Sequence, residues 1–153
     1  MTRSFRFLLM VTICAVSITA CDKDDDNDNI VSRSGLQLSG AQEVPAKTVT
    51  ATGTVDVSYD KMSKILSYTV KWEGLSGTPT GAHIHGVAAR GSNAGVKHDF
   101  FPQFPKTVNG MFSNTVMVDG TQLKEDSLLL GYYYVNIHTA LNPGGEIRGQ
   151  IEF

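Results

Sequence analysis

The stretch Thr48–Tyr59, TVTATGTVDVSY, decides the fold class. Ala51, Gly53, Val55, Val57 and Tyr59 fall on one side of a period of two, and Thr50, Thr52, Thr54, Asp56 and Ser58 on the other. Alternation over this length, rich in β-branched residues, is the pattern of a half-buried strand. Asp60-Lys61-Met62-Ser63-Lys64 is a polar turn. Beyond it Leu66, Tyr68, Val70 and Trp72 alternate with Ser67, Thr69 and Lys71.

The same period continues outward. Leu36 and Leu38 alternate in GLQLSGA, Ala82–His85 is a short strand, and Gly86–Gly95 is a loop of small residues. Val96–Phe101 and Met111–Val118 are further strand candidates, with Pro102 and Pro105 breaking the chain after the first. Thr121–Leu130 is the one helix candidate, with Thr121 placed to cap it and Leu123 to pack inward. Tyr132–Thr139 and Glu146–Phe153 are the last strands, separated by the turn signal Asn142-Pro143-Gly144-Gly145. Short strands with regular turn signals predict an all-β fold, a single Greek-key β-sandwich with at most one short helix.

The last two strands also predict a register. Tyr133, Val135 and Ile137 share one face, as do Ile147, Gly149 and Ile151, so pairing Ile137 with Ile147 and Tyr133 with Ile151 buries both rows together. The opposite face then sets His138 across from Glu146, Asn136 from Arg148 and Tyr134 from Gln150.

Composition narrows the function classes. The chain has 153 residues, 41% apolar and 18% charged, too apolar for a disordered chain and too poor in Ala, Glu, Lys, Leu and Arg for a coiled coil. Its formal charge of −2 offers no basic excess to neutralise phosphates, so nucleic acid is not an expected partner. There is no G-x-S-x-G elbow, P-loop or G-x-G-x-x-G fingerprint.

The N-terminus reads as an address. Arg3 and Arg6 precede the apolar run FLLMVTICAVSITA, which is too short to span a bilayer and fits a signal peptide over residues 1–20. Ile18-Thr19-Ala20-Cys21 resembles the lipobox of bacterial lipoproteins, which implies cleavage before Cys21 and its acylation. Cys14, the other cysteine, would leave with the signal. Residues 21–34 read as an acidic, disordered tether, and a lysine followed by aspartates after the cysteine resembles the surface-export signal of Bacteroidetes lipoproteins. The expected location is therefore the outer membrane, facing the cell surface, with the membrane as a partner through the lipid anchor.

All four histidines lie in the strand region: His83, His85, His98 and His138. Alternation in Ala82-His83-Ile84-His85 sends both imidazoles to one side, and His138 lies on a polar strand face. Three neutral imidazoles from two strands would suit copper or zinc, with a position left open for water. Glu146 is then a candidate acceptor for His138, with Asn136 and Arg148 alongside. A structural polar cluster is the competing reading. The aromatic loop Phe100-Phe101-Pro102-Gln103-Phe104-Pro105 would either contact a glycan or protein partner or fold over one end of the domain.

Several segments together resemble the CHRD (chordin-type) domain. They are Leu38-Ser39-Gly40-Ala41-Gln42-Glu43-Val44-Pro45, Ala82-His83-Ile84-His85-Gly86, Tyr134-Val135-Asn136-Ile137-His138-Thr139 and Asn142-Pro143-Gly144-Gly145-Glu146-Ile147-Arg148-Gly149-Gln150. The resemblance implies a β-sandwich module in extracellular settings, spanning residues 35–153, with a binding or structural role and no settled catalytic activity. A fainter resemblance, in the H-x-H on a strand and the loop before it, is to copper/zinc superoxide dismutases. It would make the sandwich dismutase-like, where an immunoglobulin-like one is the alternative, and the histidines a metal site. The bridging histidine, zinc-site aspartate and disulfide of that family are not recognisable here.

Overall fold

The computed structural model describes residues 29–153. The expected signal peptide, Cys21 and most of the expected acidic tether lie outside the described residues.

Alternation dictates the architecture. Eight strands run through the described residues: β1 (Ile30–Ser39), β2 (Thr52–Asp60), β3 (Ile65–Glu73), β4 (Pro79–Gly86), β5 (Val96–Asp99), β6 (Gly110–Met117), β7 (Tyr133–Thr139) and β8 (Ile147–Ile151), with one short helix, α1 (Glu125–Leu129). All pairings are antiparallel. The strands form one sheet in the order β5-β4-β7-β8-β1-β2-β3-β6, curled until it is nearly closed. The fold is thus all-β with a single short helix.

The inner face holds the core. Val55, Val57 and Tyr59 of β2 are buried beside Leu66, Tyr68, Val70 and Trp72 of β3. Across the interior they meet Ile84, Val135, Ile137, Ile147 and Ile151 from β4, β7 and β8. The expected register of the last hairpin is observed, with Ile137 opposite Ile147 and Tyr133 opposite Ile151. Gly149 is required there, because a Cβ would meet the Gln37 carbonyl oxygen at 2.6 Å and Leu38 Cδ1 at 2.9 Å.

Two expectations need correction, and one alternative is decided. Strand β1 begins at Ile30, so residues 30–34 of the segment read as tether pair within the sheet, with Ile30 opposite Asp60. The register shifts between Arg33 and Leu36, and this irregularity hides the strand from a period-two reading. Thr121 does not cap the helix. The Asp119 carboxylate accepts the N–H groups of Thr121, Gln122 and Leu123, so a tight turn forms first and α1 starts only at Glu125. Of the two readings of the aromatic loop, the structure takes the one in which it folds over the domain. Phe100 and Phe104 are buried, and Phe104 stacks on Trp72 with ring centroids 4.2 Å apart.

Among the described residues no helix is long and apolar enough to cross a membrane.

Candidate metal centre on the outer sheet face

The face of β4, β7 and β8 turned away from the core is also covered. Asn136, Arg148 and Gln150 are buried. The loop of residues 87–95, between β4 and β5, lies over this face and offers backbone groups to it. The Ser92 carbonyl accepts from Arg148 Nη2 at 2.8 Å, the Ala88 carbonyl from Gln150 Nε2 at 3.0 Å, and Ala94 N–H donates to Tyr134 Oη at 3.0 Å. The polar face is an ordered, packed layer.

His83, His85 and His138 meet at its edge. One ring nitrogen from each lies within 4.8 Å of the others, as the alternation of β4 and the polar face of β7 implied. Gly81 makes room for them, since a Cβ there would stand 2.9 Å from His83 Cε1 and 3.1 Å from His138 Cδ2.

Hydrogen bonding fixes two of the three tautomers. His138 Nδ1 is 3.0 Å from the Pro143 carbonyl oxygen and His85 Nδ1 is 2.9 Å from that of Ala94. A carbonyl only accepts, so each Nδ1 carries the proton and each Nε2 presents a lone pair. His138 Nε2 lies 3.1 Å from His83 Nδ1. His85 Nε2 is buried and has no hydrogen-bond partner. His83 Nε2 faces the Asp99 carboxylate at 3.6 Å, across the β4–β5 pairing of these two residues.

Burial favours the neutral imidazoles. It pushes His138 down to about 4, against the Pro143 carbonyl, with positive charge on His83 or His85 acting the same way as burial. Burial likewise lowers His83, opposed by Asp99, and lowers His85, opposed by the Ala94 carbonyl. Near neutral pH the cluster therefore holds uncharged rings, the form that ligates metals.

The residues expected to support the histidines divide. Arg148 stands behind His85 through Tyr134: the His85 ring stacks on Tyr134 at 4.9 Å, and Arg148 Cζ lies 3.4 Å from the other ring's centroid. Asn136 is the cross-strand neighbour of His83 and donates from Nδ2 to Glu43 Oε1 at 2.7 Å. Glu146 does not reach His138. Its N–H donates to the Ile137 carbonyl while Ile147 is the register partner of Ile137. The β7–β8 ladder ends at that pair, so strand alternation does not carry on to Glu146. The Glu146 carboxylate instead accepts from Ser76 N–H and Ser76 Oγ, at 2.7 and 2.6 Å, and from the Thr139 hydroxyl. His98 lies apart from the cluster, with Nε2 3.0 Å from Tyr68 Oη. Sequence reasoning missed Asp99, which sits on a four-residue strand without clear alternation. It also missed Glu43, whose buried carboxyl has no patterned neighbour.

Comparison with known proteins bears on the same segments. The family model of the CHRD domain matches residues 35–151. The chain belongs to the CHRD domain family. The histidine pair of β4, the β7 motif and the β7–β8 turn of this CHRD domain all lie within the match. No match is found among curated proteins, and none among solved structures.

Proposed function

We propose that this protein is a lipid-anchored CHRD module, held at the outer membrane through Cys21 and facing the cell surface, that binds one copper or zinc ion through His83, His85 and His138. The observation that carries the reading is the unsatisfied lone pair of His85 Nε2, buried within a group of three imidazoles. A buried acceptor without a donor is costly, and a shared cation would satisfy it. The His83 Nδ1 to His138 Nε2 distance of 3.1 Å is close to the ~3.3 Å expected between two nitrogens on one tetrahedral zinc. Three imidazoles would leave a coordination position for water or a small ligand, as in a dismutase-like site. No catalytic step is assigned. The finer fold reading is a Greek-key sandwich closed between β5 and β6. Contacts of Tyr68 with His98, and of Phe100 with Phe112 at 5.9 Å, support it by spanning that gap.

The test is metal analysis of the full chain, purified in detergent and dialysed against Cu(II) or Zn(II) with a weak competing chelator. One equivalent should be retained by the wild type and lost in His85→Ala, with thermal melting to show that the variant folds. Retention below about a tenth of an equivalent by the wild type would overturn the metal reading. The module would then be a metal-free binding or structural domain with an extracellular protein or glycan partner.

A further inference from the structure

Each imidazole in the cluster has a second nitrogen, and each second nitrogen faces an acceptor. For His85 and His138 the acceptors are backbone carbonyls, which fix Nε2 as the free donor atom. For His83 the acceptor is a carboxylate, Asp99, and it faces Nε2. The sense is therefore reversed at His83, whose Nδ1 points to the cluster, 3.1 Å from His138 Nε2.

Without a cation, His83 cannot satisfy both sides while neutral. If Nδ1 carries the proton and donates to His138, the Nε2 lone pair confronts the Asp99 carboxylate, and two acceptors face each other. The 3.6 Å separation is longer than a charge-assisted hydrogen bond. If Nε2 carries the proton and donates to Asp99, two lone pairs meet at 3.1 Å. A cation between His83 Nδ1 and His138 Nε2 removes the conflict and lets Nε2–H donate to Asp99.

We infer that Asp99 is a positioning residue for metal binding: it holds His83 in the Nε2–H tautomer, so that the ion is bound by His83 Nδ1 together with the Nε2 atoms of His85 and His138. The inference rests on the metal reading of this site. The carboxylate is well placed for the task. Asp99 is the cross-strand partner of His83, and its Oδ1 also accepts the Phe101 N–H at 2.9 Å, which fixes its orientation. Its side chain is 53% exposed. The short strand β5 thereby gains a role: it delivers one carboxylate to the outer side of a ligand.

The experiment uses the full chain in detergent, labelled with ¹⁵N and loaded with one equivalent of Zn(II). Long-range proton–nitrogen correlation spectra of the imidazoles report which nitrogen is protonated. His83 should be protonated at Nε2 and His85 and His138 at Nδ1. Asp99→Ala should weaken zinc affinity about 10- to 100-fold in chelator competition and abolish the hydrogen-bonded His83 Nε2–H resonance. Asp99→Asn keeps a carbonyl acceptor, so it should lose less and serves if the alanine variant fails to fold. A wild type that binds zinc with His83 protonated at Nδ1, or a folded Asp99→Ala with unchanged affinity, would overturn the inference and leave the metal site standing. A wild type that binds no zinc would overturn both.

Discussion

Glu43 provides a quantitative test of the covered polar face. Its residue is 6% exposed, and its carboxyl accepts from Asn136 Nδ2 at 2.7 Å. Burial pushes it up from an ordinary 4.5 to about 7, opposed by the Asn136 hydrogen bond and by the charges of Arg148 and Lys47. The folded state thus holds this proton more tightly than the unfolded chain. Stability from that preference is fully present below pH 4.5 and is lost as pH rises through 7. At 1.36 kcal/mol per pH unit, linkage gives a loss of ~0.5 kcal/mol at pH 4.5, ~2 at pH 6 and ~3 at pH 8. Glu43→Gln removes the titration and keeps a carbonyl acceptor for Asn136. The variant should match the wild type at pH 4.5 and exceed it by about 3 kcal/mol at pH 8. Urea denaturation at pH 4.5, 6 and 8 measures this, and at slopes of about 1–3 kcal/mol/M the midpoint should move by about 1–3 M at pH 8. The histidines act in the opposite sense. Their folded values lie below 6.5, so their contribution is lost as pH falls through that range. They are common to both proteins and drop out of the difference. A pH-independent difference, or a variant less stable than the wild type at pH 8, would refute the reasoning.

Two further outcomes are expected. Phe104→Ala should destabilise the domain by about 3–5 kcal/mol, measured by thermal or urea unfolding, because the ring is buried between Trp72, Phe100 and Phe112; a loss below about 1 kcal/mol would return this ring to the surface as a contact for partners. Cys21→Ser should abolish incorporation of radioactive fatty acid in the producing cells, and persistent labelling would contradict the anchor.

Much of the fold was legible because β2, β3, β7 and β8 alternate mainly apolar residues on the core face with mainly polar ones on the other. The pairing of Ile137 with Ile147 followed from that alone, and so did the convergence of His83 and His85 on one side. The illegible parts share a cause: local geometry that breaks the period. At β1 the register shift beside Gly35, which has φ +69°, puts the two halves of the strand out of phase. At Glu146 the β7–β8 ladder has already ended, so the side chain that continued alternation would have aimed at His138 is bonded to Ser76 and Thr139 instead. At Thr121 a neighbouring carboxylate competes for the N–H groups a helix cap would have used. Asp99 lies on a strand too short to show any period, and its meaning emerges only from pairing with His83.

The two sides of the sheet solve different problems. Inside, burial is apolar and tolerates exchange among residues of similar volume. Outside, the 87–95 loop covers β4, β7 and β8, and the polar side chains beneath it are hydrogen-bonded, with His85 Nε2 and Asn136 Oδ1, among the described residues, the buried atoms on this face left without a partner. Arg148 is 1% exposed and bonds to neutral groups, the Ser92 carbonyl at 2.8 Å and Asn93 Oδ1 at 3.2 Å. The nearby carboxyl, Glu43, instead hydrogen-bonds to Asn136 and has its proton held by burial. Buried charge in the layer is therefore kept low, with Arg148 spread over dipoles and an aromatic ring and Glu43 largely protonated below neutral pH. The Ala94 carbonyl that orients His85 belongs to the same loop that receives Arg148 and Gln150. His85 is thus set by the loop that seals the polar layer, while His138 is held by the β7–β8 turn and His83 faces β5, so displacing that loop would loosen the His85 ring before it touched the core.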